Sequence, residues 1–90
     1  AKNRYVSAQT SGFGIHLDVE RILNFDKNTI LRTLARSATD LKKTEPVSVN
    51  YEAEGFSLHV DSEAIKKRER EKVIEMMGRV AKKVQTQVRV

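Results

Sequence analysis

Ninety residues carrying a net charge of +5, with 39% hydrophobic and 32% charged side chains, suffice for one small domain and leave no room for a catalytic domain beside a regulatory one. The absence of Cys excludes disulfides, thiolate nucleophiles and Cys-based zinc sites together. Seventeen Lys and Arg against twelve Asp and Glu favour a polyanionic partner. No apolar run approaches bilayer length and no hydrophobic segment that could act as a signal follows Ala1-Lys2-Asn3-Arg4, so a cytoplasmic protein with no membrane partner is expected.

The chain repeats itself at an offset of 43 residues. Gly12 to Ile22 lies over Gly55 to Ile65 with the shared pattern G-F-x-[IL]-H-[LV]-D-x-E-x-I. The register continues without a gap through Leu34 over Met77, Arg36 over Arg79 and Leu41 over Val84. Eight identities fall between Gly12 and Leu41, where unrelated segments would share about two. This predicts a single domain of two repeats, about 3–43 and 46–86, with a carboxy-terminal strand at about 86–90.

In chain order, Arg4 to Gln9 alternates as a half-buried strand and Gly12 marks a turn. Phe13, Ile15 and Leu17 then share one face of a second strand, opposite Gly14, His16 and Asp18. Residues 19 to 23 read as a turn, with Asp26 capping a helix through Leu41. The second copy gives a strand over Pro46 to Ala53, a turn at Gly55, and a strand with Phe56, Leu58 and Val60 inward. A second helix is expected to start at Asp61 or Ser62 and to run along Ile65, Val73, Met77, Val80 and Val84. Gln85 to Val90 alternates and is β-branched, which predicts a fifth strand. The expected fold is α+β: two β-β-α repeats about a pseudo-twofold axis, forming an antiparallel sheet with both helices on one face. Ala35 and Gly78, small at matching positions, suggest where the helices approach closest.

Three features bear on function. The repeated H-x-D places His16 with Asp18, and His59 with Asp61, on the exposed strand face; if the two strands are neighbours, imidazoles and carboxylates could converge as metal ligands or as acid and base. These paired strands resemble the histidine-x-threonine strands of two-histidine phosphoesterases, a resemblance confined to two short strands with Asp where that family has Ser or Thr. It would imply phosphodiester chemistry, which is not carried over; the favoured reading sets each His on a solvated sheet face and each Asp as a cap for the helix after its strand, and neither an enzyme nor a cofactor or bound metal is expected. The second feature is the charged run Lys66-Lys67-Arg68-Glu69-Arg70-Glu71-Lys72, assigned to the start of the second helix and continued by Arg79, Lys82, Lys83 and Arg89. Arg32, Arg36 and Lys43 lie opposite the apolar stripe of the first helix. Third, the open sheet face carries Tyr5, Ser7, Gln9, His16 and His59, with too few aromatics for a base-stacking platform.

The expected function is therefore binding of DNA or RNA through the phosphate backbone, by Arg32, Arg36, Lys43, Lys66, Lys67, Arg68, Arg70, Lys72, Arg79, Lys82 and Lys83. The alternative is a protein-interaction module that adds its sheet edge or carboxy-terminal strand to a partner. On either reading a homo-oligomer is expected, because an unpaired edge ending in Val88-Arg89-Val90 favours association.

Overall fold

Alternating side chains form four strands and the apolar stripes form two helices in a computed structural model that describes residues 5–88. In chain order these are β1 (Tyr5–Thr10), β2 (Phe13–Asp18), α1 (Lys27–Lys42), β3 (Ser48–Ala53), β4 (Phe56–Asp61) and α2 (Arg70–Gln87). Arg4, Arg89 and Val90 lie outside the described residues. The sheet is antiparallel with order β1-β2-β4-β3, so the fold is α+β with the predicted β-β-α-β-β-α order. No helix among the described residues is long and apolar enough to cross a membrane.

The central strands explain the symmetry. β2 pairs with β4 so that Ile15 faces Leu58, its own equivalent 43 residues on, and the pseudo-twofold axis passes between them. Phe13, Ile15, Leu17, Phe56, Leu58 and Val60 are each 3% exposed or less. They meet Ile30, Leu34 and Leu41 of α1 and Val73, Met77, Val80 and Val84 of α2 in one core. Each such side chain removed from water contributes about 1.5–3 kcal/mol.

Each hairpin turns on two residues, Ser11-Gly12 and Glu54-Gly55, with the glycines at φ +78° and +79°. Each turn also leans on the other repeat. The Asp61 N–H donates to the Gly12 carbonyl at 2.7 Å, and the Asp18 N–H donates to the Gly55 carbonyl at the same distance. Arg21 extends this contact by pairing with Glu54 at 2.8 Å, which holds its guanidinium more firmly protonated.

Three expectations are corrected. The second helix starts at Arg70, not at Asp61 or Ser62: Asp61 Oδ1 accepts the Glu63 N–H in a turn, and Lys67–Glu69 form a single 3-10 turn before the helix proper. The twin turn at Asn24–Asp26 precedes α1 in the same way, where Asp26 occupies the cap position without a side-chain bond. Among the described residues no strand forms at the carboxy end, because Val80, Val84 and Val88 recur every fourth residue and are all buried; that stripe carries α2 through Gln87 despite the β-branched residues. Finally, Ala35 and Gly78 do not mark helix contact. Both are exposed, and a Cβ added at Gly78 would meet nothing within 4 Å.

The repeats differ at one edge. Tyr51 on β3 packs against Phe56 with ring centroids 5.9 Å apart, and burial, helped by the Asp26 carboxylate, pushes its phenol above the usual value. Its counterpart on β1 is Ala8. The missing ring leaves a mainly apolar groove of about 250 Å³ between β1 and α2, lined by Ala8, Thr10, Phe13, Val73 and Met76 with Glu69 and Lys72.

Candidate nucleic-acid interface

The two layers carry opposite charge. The four strands hold Asp18, Glu52 and Asp61 and not one Lys or Arg. The two helices hold nine Lys or Arg against Asp40, Glu71 and Glu75. Because the apolar stripes of both helices are spent on the sheet, the cations face outward or flank the seam.

Of the predicted contacts, Arg32, Arg36, Lys72, Arg79 and Lys82 are exposed on the helices, and Lys43 is exposed at the end of α1. Lys66, Lys67 and Arg68 are exposed too, in the turn that precedes α2 rather than within it. Lys83 is half-buried and engaged. Arg79 pairs with Glu75 at 3.6 Å, an exposed contact of the kind that contributes little and leaves the cation available. Among the described residues Arg32 and Arg36 have no acidic partner, and with Thr29 and Thr33 they line a shallow hollow of about 150 Å³ on α1.

Arg70 is the outlier. Its Nε is buried with no hydrogen-bond partner among the described protein atoms, where the chain forms a hollow of about 180 Å³ lined by Leu41, Thr44, Glu45, Pro46, Ser62 and Glu63. An unmet buried donor costs about 1–3 kcal/mol. Arg70→Met keeps the apolar stem and removes the donor, so thermal melts should show a gain of about 1 kcal/mol, while nucleic-acid affinity falls a few-fold with the lost charge. A loss of stability would mean that the guanidinium is satisfied after all.

The two H-x-D motifs do not converge on one site. His16 faces Ser57 and His59 faces Gly14, so the imidazoles sit diagonally across the central pair, with Cα atoms about 7–8 Å apart, and line one shallow hollow of about 240 Å³ with Ser7, Gln9 and Glu52. The carboxylates are carried away from it. Asp18 lies beside Gly55 and Asp61 beside Gly12, at opposite ends of the pair and about 20 Å apart by strand rise. Each Asp instead accepts a backbone N–H two residues on, Glu20 at 3.3 Å and Glu63 at 3.1 Å. Among the described residues no three His, Asp or Glu come together as a metal-binding group. His16 meets Tyr5 edge to face at 4.9 Å, and His59 Nδ1 lies 2.9 Å from Asn50 Oδ1, the Nδ1–H tautomer donating.

Sequence reasoning missed one residue. Phe25, which falls between the expected turn at 19 to 23 and the expected cap Asp26 and has no role there, is 79% exposed. Its signal was the repeat itself, which sets Leu23-Asn24-Phe25 against Lys66-Lys67-Arg68.

Compared with known proteins, the chain matches no family model, no curated protein and no solved structure.

Proposed function

We propose that the protein binds nucleic acid along the outer surface of its helical layer, by neutralising backbone phosphates. The observation that carries this reading is the segregation of charge by layer: cations crowd the helices, and the strands carry acids alone. A net charge of +5 spread evenly would describe any basic surface. Collected on one side, it forms the field that attracts a polyanion and releases its counterions. Arg32 and Arg36 are the leading contacts because no carboxylate among the described residues competes for them. The test is fluorescence anisotropy of labelled DNA and RNA, single- and double-stranded, across a salt series. Binding that weakens log-linearly with salt supports the reading, and no binding at low salt overturns it.

A second reading rests on the groove beside β1. β1 is an edge strand with no charged residue, and edges without charge, Pro or bulge invite pairing. A strand from a second copy added there would place an apolar side chain over Ala8, where Tyr51 fills the equivalent space in the other half. Ala8→Tyr tests this directly. Filling the groove should raise stability by about 1 kcal/mol in thermal melts, and any self-association seen by sedimentation should disappear; association unchanged by the new ring would sink this reading.

A further inference from the structure

We infer that Phe25 stacks on an unpaired nucleobase when Arg32 and Arg36 hold the adjoining phosphates, so that the preferred ligand is single-stranded. The inference rests on the reading of the helical layer as a phosphate-binding surface. It names what that surface adds beyond charge.

Four observations lead to it. Phe25 is 79% exposed, well above Tyr5 at 55% and Leu23 at 42%, so its ring adds nothing to the core. A lone exposed apolar side chain is ordinary on a protein surface. What distinguishes Phe25 is its setting: the spacing of four, three and four along Phe25, Thr29, Arg32 and Arg36 places an aromatic ring, a hydroxyl and two cations on one side of α1 and the turn that leads into it. The helical rise puts Arg32 about 10 Å beyond Phe25 and Arg36 about 6 Å further.

The surroundings select the partner. An aromatic that anchors a protein interface sits within an apolar patch, whereas Phe25 is followed along its line by Thr29 and two guanidiniums with no acidic partner among the described residues. Rings flanked by cations along a track suit bases and phosphates together, because every base has a stackable face and every linkage a charge. A duplex keeps its base faces covered; a single strand presents them. The other repeat marks the contrast. On the equivalent 3-10 turn the position of Phe25 is held by Arg68, flanked by Lys66 and Lys67, so one half offers stacking and charge while the other offers charge alone.

The protein contains no Trp, so Phe25→Trp installs a single reporter at the proposed contact. Its emission is followed while a short oligouridylate, the matching DNA strand or a duplex of the same length is added, and Phe25→Ala is measured by anisotropy across a salt series. Quenching by single strands but not by duplex, with about a tenfold weaker affinity and an unchanged salt slope for Phe25→Ala, is the expected result. If single strands bind with a steep salt slope, yet the reporter is silent and Phe25→Ala binds as well as the parent, the stacking contact is overturned and the phosphate surface stands. If no nucleic acid binds at low salt, both fail. If Phe25→Ala changes the sedimentation of the protein alone, Phe25 is a self-association contact and the inference is overturned. A thermal melt of Phe25→Ala matching the parent shows that folding does not enter the comparison.

Discussion

Gly12→Ala should destabilise the protein by about 3 kcal/mol or more, a large share of the roughly 5–13 kcal/mol expected for a domain of this length. The methyl group would lie 2.6 Å from the Asp61 carbonyl oxygen and 2.7 Å from the Ile65 nitrogen, both backbone atoms that cannot swing aside. The turn cannot retreat either, since the Gly12 carbonyl accepts the Asp61 N–H. A φ of +78° adds the ordinary cost of a left-handed residue with a Cβ. Denaturant titration followed by circular dichroism measures the change. Gly55→Ala should behave alike, because its Cβ would meet the Asp18 oxygen at 2.8 Å and the Ile22 nitrogen at 2.9 Å. A loss below about 1 kcal/mol, the bare cost of a flexible turn, would show that the close approach between repeats is absent in solution.

Arg32→Glu combined with Arg36→Glu should lower nucleic-acid affinity about a hundredfold or more and reduce the salt slope by about two. Both side chains are exposed and unpaired among the described residues, so stability should hold within about 0.5 kcal/mol. The control is Glu52→Lys on the opposite face of the sheet, which alters charge as much per residue as either reversal. If layer matters, that variant changes affinity no more than about twofold. Should Glu52→Lys strengthen binding as much as one reversal weakens it, the ligand senses net charge and no particular surface, and the helical interface is wrong.

The hairpins were legible because period-two alternation and a turn glycine are local signals: Phe13-Ile15-Leu17 and Phe56-Leu58-Val60 declare their face without reference to anything distant. The repeat pointed to a pseudo-twofold axis but left the strand order open, and the non-local pairing of β2 with β4 came only with the structure. The helix boundaries were harder. Seven charged residues from Lys66 to Lys72 have no apolar periodicity, so nothing within them marks the step from turn to helix at Arg70. At the far end propensity misled: β-branched residues suggested a strand, while the spacing of Val80, Val84 and Val88 was helical and burial decided the outcome. Small size at Ala35 and Gly78 said nothing about direction, and each stands one residue past the buried Leu34 or Met77, about 100° around the helix. The basic residues could be named from sequence, but their collection on one layer depended on the strands being free of Lys and Arg, which became apparent only once strands and helices were assigned to opposite sides.

The two glycine clasps govern how the chain reaches this state. Each hairpin can close quickly from neighbouring residues, but its turn is completed only by the strand-to-helix connection of the other half. The pairing of Ile15 with Leu58 closes a long loop whose entropy is lost before the shared core repays it. Bringing the two halves together therefore costs more chain entropy than closing either hairpin. Once met, each half holds the other's turn, so releasing one turn takes away a backbone contact from both repeats at once.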